Sequence, residues 1–309
     1  LIPPERVFVL TGPHHAAPVA EHLPELPADN IQIEPSPRGT APCLGLAAMR
    51  LRERAGEDAV MVSLHADHAI AHPERFREAL TAAIAAARTG AIATIGVVPT
   101  RPDTGYGYIE RGAPRAQVHG QSVYAVTRFT EKPAAELACE FVEAGCYYWN
   151  TGYFAWTVGR ILSEFQRQLP TTYAQLEELA RADGGPSAVA HWNAIERTTI
   201  DVGIMEHADN VVVIPADLGW SDIGSWASLQ ELLPSDPQGN VVLGAGQFVG
   251  LDTQRSLVLS SGRLVAAIGC DEMIIIDTED ALLVLPKDRA QDVAVLVREL
   301  RERGLEQLL

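Results

Sequence analysis

"VMVSLHADHAI", residues 60–70, is an apolar run that stops abruptly at His65-Ala66-Asp67-His68 and then turns hydrophobic again. Residues 59–64 are short, apolar and partly β-branched, which reads as a strand buried in a sheet. A polar tip on such a strand lies at the sheet's carboxyl edge, where open α/β sheets collect ligands. Working outward, the same alternation recurs. Residues 6–11, 31–34 and 91–98 are strand-like, and residues 41–55 and 73–88 are helix-like. The second helix opens with Pro73 and carries Phe76, Leu80, Ala83, Ile84 and Ala87 at helical spacing. Strands alternating with helices up to about residue 235 predict βαβ units and a mostly parallel sheet.

From 105 to 155 the chain becomes rich in glycine and aromatics, as in "TGYGYIE", "VTRFTEKP" and "CYYWNTGYFAW". This texture predicts loops and antiparallel ribbons laid over the end of the sheet. Helices are expected at about 158–182 and 187–195, and "NVVVIPADLGWSDIGSWASLQELL" (210–233) adds a strand, a loop and a helix. Pro, Ser, Asp and Gly crowd together in "PSDPQGN" (234–240), which places a boundary between a domain 1–235 and a smaller one 236–309. The latter shows strand-like runs at 241–243, 247–251, 257–260, 264–268, 273–277 and 281–285, then an amphipathic helix at about 288–303. Turns every eight to ten residues suggest a small β unit coiled as a solenoid, although no strict repeat is visible.

The 309 residues are 47% hydrophobic and 21% charged, a composition that builds an ample core. A net charge of −16 argues against nonspecific binding to nucleic acid or to an anionic membrane, both of which require clustered cations. It leaves room for a small phosphorylated ligand. Cys43, Cys139, Cys146 and Cys270 are scattered and form no C-x-x-C pair, so a reducing cytoplasm is expected. No apolar run approaches the ~20 residues of a membrane span. Exposed aromatics near the C-terminal unit are compatible with a homodimer. Leu1-Ile2-Pro3-Pro4 leads straight into a strand with no initiator Met, so a head segment is expected to precede it.

His65 and His68 stand as H-x-x-H without a third ligand nearby in sequence, which disfavours zinc. Asp67, at a strand's carboxyl end, suits Mg²⁺ on a nucleotide; equally, it could cap the helix near Pro73, at a spacing rather long for a cap. In "EPSPRGTAP" (34–42), Thr40 is expected to cap the following helix, and the helix end with Arg38 offers a seat for a phosphate or a base edge. The same loop also reads as an ordinary connection. In "FTEKP" (129–133), Glu131 and Lys132 point to opposite faces of a strand, so one could bind sugar hydroxyls while the other reaches a phosphate; a solvated surface pair is the plainer alternative. Asn150 in "WNTGYF" and Asp222 in "GWSDIGSW" each place one polar group among turn residues and aromatics, which suits a polyol or simply a tight turn. Asp201 reads first as a cap or anchor of the helix around 202–206.

Taken in order, "EPSPRGTAP", "LHADH", "TGYGYIE", "FTEKP", "YYWNTGYFAW" and "TIDVGIMEHADNVVVIPADLGWSDIGSW" resemble the mannose-1-phosphate guanylyltransferases of the sugar-nucleotidyltransferase superfamily. The resemblance spans about residues 6–230 and is most specific in the last block. It implies a Rossmann-like α/β fold, with a mixed, mostly parallel sheet and flanking helices. A small left-handed β-helix-like C-terminal unit would follow, ending in a helix. It also implies transfer of GMP from GTP to mannose 1-phosphate, giving GDP-mannose and pyrophosphate with Mg²⁺ held by Asp67 and Asp222. Mannose contacts would come from Gly105, Tyr106 and Gly107, from Glu131 and Asn150, and from Gly152, which lets the backbone approach. Lys132 would meet the sugar phosphate, Glu34 and Arg38 would lie on the nucleotide side, and Thr40 would be a further substrate-binding residue. Gly39 stands where the family often has Asn, and the family's opening Gly-rich phosphate loop is not present in these residues.

Two rivals share these residues. One is a thymidylyl- or uridylyltransferase of the same superfamily; the other is a catalytically silent sugar-nucleotide-binding subunit. A dinucleotide-dependent dehydrogenase is disfavoured, because no G-x-G-x-x-G follows any strand.

Overall fold

The computed structural model describes residues 2–182 and 185–308. The chain divides into two compact units, one of residues 1–66 and 70–220, the other of residues 67–69 and 221–309. In chain order the first carries β1 (Val9–Thr11), α1 (Ala16–His22), β2 (Ile31–Ile33), α2 (Thr40–Ala55), β3 (Val60–Ser63) and the second residue of β4 (Ala69–Ile70). Next come α3 (Pro73–Ala87), β5 (Ile92–Val97), β6 (Tyr108–Val118), β7 (Gln121–Thr130), α4 (Ala135–Ala144) and β8 (Tyr147–Thr157). The helices α5 (Val158–Gln168), α6 (Pro170–Arg181), α7 (Gly185–Ala194) and α8 (Ile200–Gly203) lead to β9 (Val211–Pro215) and β10 (Trp220–Ser221), where the chain leaves this unit.

The fold of this unit is α/β. Its main sheet has the order β3-β8-β5-β9-β7-β6. β5 and β9 pair in parallel, whereas β8 is antiparallel to β3, β5 and β6, and β7 is antiparallel to β6 and β9. Four strands therefore run one way (β3, β5, β6, β9) and two the other. β1 and β2 form a separate parallel pair. Alternate residues of the central strands feed two cores. Phe154, Trp156, Val211 and Val213 pack with α2 and α5, while Tyr153, Ala155, Val212 and Ile214 pack with the buried alanines of α3. A strand covered on both faces reads as a continuous apolar run, which is why β5 and β9 are legible in sequence.

"CYYWNTGYFAW" departs from expectation. It forms β8, a central strand between β3 and β5, not a ribbon at the sheet's end. Ten of its eleven residues are buried, so its aromatics are core packing against helices on both faces. The helix expected over 158–182 is two helices, broken at Leu169 because Pro170 starts the second at its first turn. Among the described residues, no helix is long and apolar enough to cross a membrane.

The second unit holds α9 (Trp226–Leu232), β11 (Val241–Gly244), β12 (Phe248–Leu251), β13 (Leu257–Ser260), β14 (Val265–Ile268), β15 (Met273–Asp277), β16 (Leu282–Pro286) and α10 (Val293–Glu302). β11, β13 and β15 stack in parallel, as do β12 and β14, and β16 closes the stack antiparallel to β15. Val241 aligns with Leu257 and Leu257 with Ile274, so each coil takes 16 or 17 residues and each expected eight-to-ten-residue spacing is half a coil. The absence of a strict repeat follows from what the stack needs: small or apolar side chains inward, with polar groups satisfied at the corners.

One such corner is Asn240, which is 3% exposed. Its amide donates to Thr253 O (3.0 Å) and Asp236 Oδ2 (3.1 Å), and its Oδ1 accepts from Ser256 N–H (3.1 Å). The Ser256 hydroxyl in turn accepts from Met273 N–H (3.1 Å), so successive coils are tied by side chains. Further along, buried Asp277 accepts from Arg263 Nε at 2.8 and 2.9 Å. Asn240→Ala strands a buried N–H and a buried C=O and is expected to cost about 3 kcal/mol. Equilibrium urea unfolding reads this as a lower midpoint; an unchanged midpoint would contradict the corner's role.

Candidate active site

The polar groups of the first unit converge where β8 is irregular. Its pairing with β5 aligns Thr94 with Phe154 but Gly96 with Asn150, so β8 bulges between these points. Bulges re-aim side chains next to functional sites. Gly152, at the centre of the bulge, has φ +71°, and a Cβ there would lie 2.5 Å from His65 Nε2. Only glycine serves, for conformation and for space.

The bulge fixes Asn150, which is 9% exposed. Its Oδ1 accepts from Gly152 N–H (3.1 Å) and Thr94 Oγ1 (3.3 Å), and its own N–H donates to Gly107 O (2.8 Å). Its Nδ2 donates to Asp201 Oδ1 (2.9 Å). Gly107 ends a loop staged by Asp103, whose carboxylate accepts from Gly105 N–H (2.9 Å) and whose backbone exchanges hydrogen bonds with the Tyr108 hydroxyl. A Cβ on Gly107 would lie 2.5 Å from Glu131 Oε2 and 3.3 Å from Asn150 Cβ. A carboxylate and a carboxamide therefore pack against buried Gly107, and only glycine leaves them room. Tyr106 stacks edge-on against Trp149 and Trp220, with ring centroids 5.0 and 5.2 Å away, walling this loop.

Glu131 and Lys132 follow β7 in a tight turn. Lys132 holds φ +45°, uncommon for a residue with a side chain, while its N–H donates to Tyr106 O (3.2 Å). Glu131 N–H donates to Glu206 Oε1 (3.2 Å). The two side chains do not diverge as strand geometry predicts; the turn brings Lys132 Nζ to 3.6 Å from Glu131 Oε1, with Lys132 64% exposed and Glu131 19%. Burial, then the nearby Asp201 carboxylate, pushes Glu131 up to about 6 against the pull of Lys132. Burial also raises Asp201, opposed by its own backbone N–H and by Asn150. The cluster is rich in acceptors, with Lys132 as the neighbouring cation, which matches a ligand that donates many hydroxyls and carries an anionic group.

Asp201, expected first as a cap or anchor of its helix, does not cap it. Thr199, whose hydroxyl accepts from Val202 N–H (3.3 Å), caps α8, leaving Asp201 in the first turn to reach Asn150. A carboxylate two residues after a capping threonine was the available signal. Thr40 is likewise no cap: Gly39 holds that position, and Thr40 Oγ1 accepts from Ile200 N–H (2.9 Å). Arg38 donates to Ile195 O (3.3 Å) and Asn193 Oδ1 (3.2 Å), so it ties its loop to the end of α7 and the residues after it. Half-buried Glu34 is raised by burial, and the Cys43 thiol beside it is raised by burial as well.

The tetrapeptide at the strand tip is divided. His65 belongs to the first unit and packs on Gly152, whereas Asp67 and His68 fall in the second unit, as does Asp222. Asp67 is 83% exposed, with an oxygen 3.9 Å from His68 Nε2. It does not cap α3: His72 holds the position before that helix, without a side-chain bond. Asp222 Oδ1 accepts from Gly224 N–H (3.1 Å), closing a tight turn through Ile223 at φ +48°. Both carboxylates offer the hard oxygen donors that suit Mg²⁺.

Residues 4–239 match the nucleotidyl transferase family, and residues 246–300 match the MannoseP isomerase/GMP-like beta-helix domain. Over 308 residues the chain is 36% identical to mannose-1-phosphate guanylyltransferase ManC of Salmonella typhimurium, covering 97% of this chain and 64% of that protein. It is 35% identical to mannose-1-phosphate guanylyltransferase of Escherichia coli K12 with the same coverage. The chain thus spans less than two thirds of the length of these curated relatives. A crystal structure of mannose-1-phosphate geranyltransferase from Thermus thermophilus superposes with a TM-score of 0.85 at 33% identity, covering 97% of this chain and 86% of that one.

The raised Glu131 has a consequence for stability. A carboxyl held above its ordinary value of 4.5 stabilises the fold below that value, and this contribution is lost as pH rises through about 6. Glu131→Gln keeps the shape and removes the titration. Its Tm should fall less than that of the unaltered chain between about pH 5 and about pH 7.5. Parallel pH profiles would show that Glu131 is not held up in the fold.

Proposed function

We infer the activity from one premise: the chain belongs to the nucleotidyl transferase family. We propose that it transfers GMP from GTP to mannose 1-phosphate, giving GDP-mannose and pyrophosphate. The observation that carries the sugar side is the acceptor-rich cluster in which Glu131 and Asn150 meet at Gly107. The relatives named mannose-1-phosphate guanylyltransferase support the choice of sugar and base.

In this reading a phosphate oxygen of mannose 1-phosphate attacks the α-phosphorus of GTP in line, forming a P–O bond as the bond to pyrophosphate breaks. The nucleophile is already an anion, so no general base is needed, and the protein's work is positioning and charge neutralisation. Glu131 accepts from sugar hydroxyls, Asn150 donates to one, and Gly105, Tyr106, Gly107 and Gly152 shape the surface that the ring lies on. Lys132, the exposed ammonium beside Glu131, neutralises the sugar phosphate. Glu34, Arg38 and Thr40 lie on the nucleotide side, where Arg38 and Thr40 hold the loop through Asn193, Ile195 and Ile200. Asp67 and Asp222 would hold Mg²⁺, which when bound offsets the negative charge of the triphosphate. Four free cysteines suit a reducing cytoplasm.

The test is nucleotidyl transfer by the 309-residue chain, with mannose 1-phosphate and each of four nucleoside triphosphates, with and without Mg²⁺, and products identified by mass. GDP-mannose formed only with Mg²⁺ is expected. Absence of any sugar nucleotide from every pair would overturn the reading. Asp222→Asn should lower turnover at least about 100-fold with its Tm unchanged; undiminished turnover would remove Asp222 from the metal site.

A further inference from the structure

Asn150 can face its ligand in only one way, and Asp201 decides which. The carboxamide oxygen is already used by Gly152 N–H and Thr94 Oγ1. Turning the amide over would set its NH₂ against the Gly152 N–H, donor against donor. Its NH₂ has two hydrogens, and one goes to Asp201 at 2.9 Å. The other has no acceptor among the described residues. Asn150 Nδ2 lies 3.6 Å from where a Gly107 Cβ would stand, and Glu131 Oε2 lies 2.5 Å from the same point. One donor and one acceptor thus lie side by side at Gly107, as needed to bind two neighbouring hydroxyls, one accepting and one donating.

We propose that Asp201 is a positioning residue for the sugar: its carboxylate holds the Asn150 carboxamide so that the remaining N–H and the Glu131 carboxylate together bind a vicinal diol over Gly107. This rests on the sugar-transfer reading above. Asp201 does not touch the sugar; it acts through Asn150. It is built for that task by α8, which Thr199 caps independently, so removal of the Asp201 carboxylate leaves the helix start intact. Thr94 and Gly152 fix the amide from the opposite side, and a charged acceptor gives the stronger bond for the hydrogen that Asp201 takes.

Isothermal titration of the 309-residue chain with mannose 1-phosphate, and separately with GTP, tests this. Asp201→Ala is expected to weaken mannose 1-phosphate binding at least about tenfold, the loss of one charge-assisted hydrogen bond, while GTP binding holds. Asp201→Asn keeps an oxygen for the Asn150 N–H and should recover most of the affinity. Asp201→Ala with Asn150→Ala should bind no worse than Asn150→Ala alone, because both act through one amide. Thermal melts of each variant separate these losses from unfolding. Sugar binding unchanged in Asp201→Ala, or a double variant with additive losses, overturns the positioning role and leaves the transferase reading standing. An unaltered chain that binds GTP but no mannose 1-phosphate overturns the sugar reading itself, and the positioning role with it.

Discussion

A carboxamide buried in a β-sheet must find its hydrogen bonds inside the protein, and the site of the first unit is organised around that requirement at Asn150. Leaving a buried amide unpaired costs on the order of 1–3 kcal/mol per group. The chain meets it by bulging β8, so that Gly152 turns its N–H toward Asn150 Oδ1, and by bringing Asp201 from α8 to Asn150 Nδ2. The bulge requires a left-handed residue at 152, and the contact with His65 leaves no space for a side chain there. The Gly107 carbonyl takes the Asn150 backbone N–H, which draws the Gly105–Gly107 loop against the strand. The bulge, the loop and the Asp201 carboxylate are all tied to one buried polar residue.

Charge follows the same logic. Glu131 lies beside two further carboxylates, Asp201 and Glu206, with Lys132 as its neighbouring cation, and Glu131 and Asp201 are both raised by burial. Hydroxyl donors are the complement such buried acceptors lack. The second unit solves a simpler problem. Its coils close on themselves through Asn240, Ser256 and Arg263, and its carboxylate Asp67 stands where solvent and cations reach it.

Much of this was legible in the residues. β5, β9 and α3 declared themselves because two-sided burial and helical spacing leave unambiguous patterns. β8 did not, because aromatics mixed with Asn, Thr and Gly look like a loop until helices on both faces are seen to cover them. Glu131, Lys132, Asn150, Gly107 and Gly152 stand out as candidates in short motifs, and the fold brings them together across β6, β7 and β8. The contact of Asp201 with Asn150 is not legible, because the partner is 51 residues away in the chain and a carboxylate in a first helical turn has an adequate local explanation. The 16- and 17-residue coils were hidden for a related reason: the stack constrains the size and polarity of inward residues, not their identity.

A crystal structure of the chain with mannose 1-phosphate bound would test the role of Asn150 most directly. The pyranose is expected over Gly107, with one hydroxyl oxygen within about 3 Å of a Glu131 oxygen and a neighbouring one equally close to Asn150 Nδ2. Sugar bound elsewhere, or bound over Gly107 with Asn150 turned away from Asp201, would contradict it.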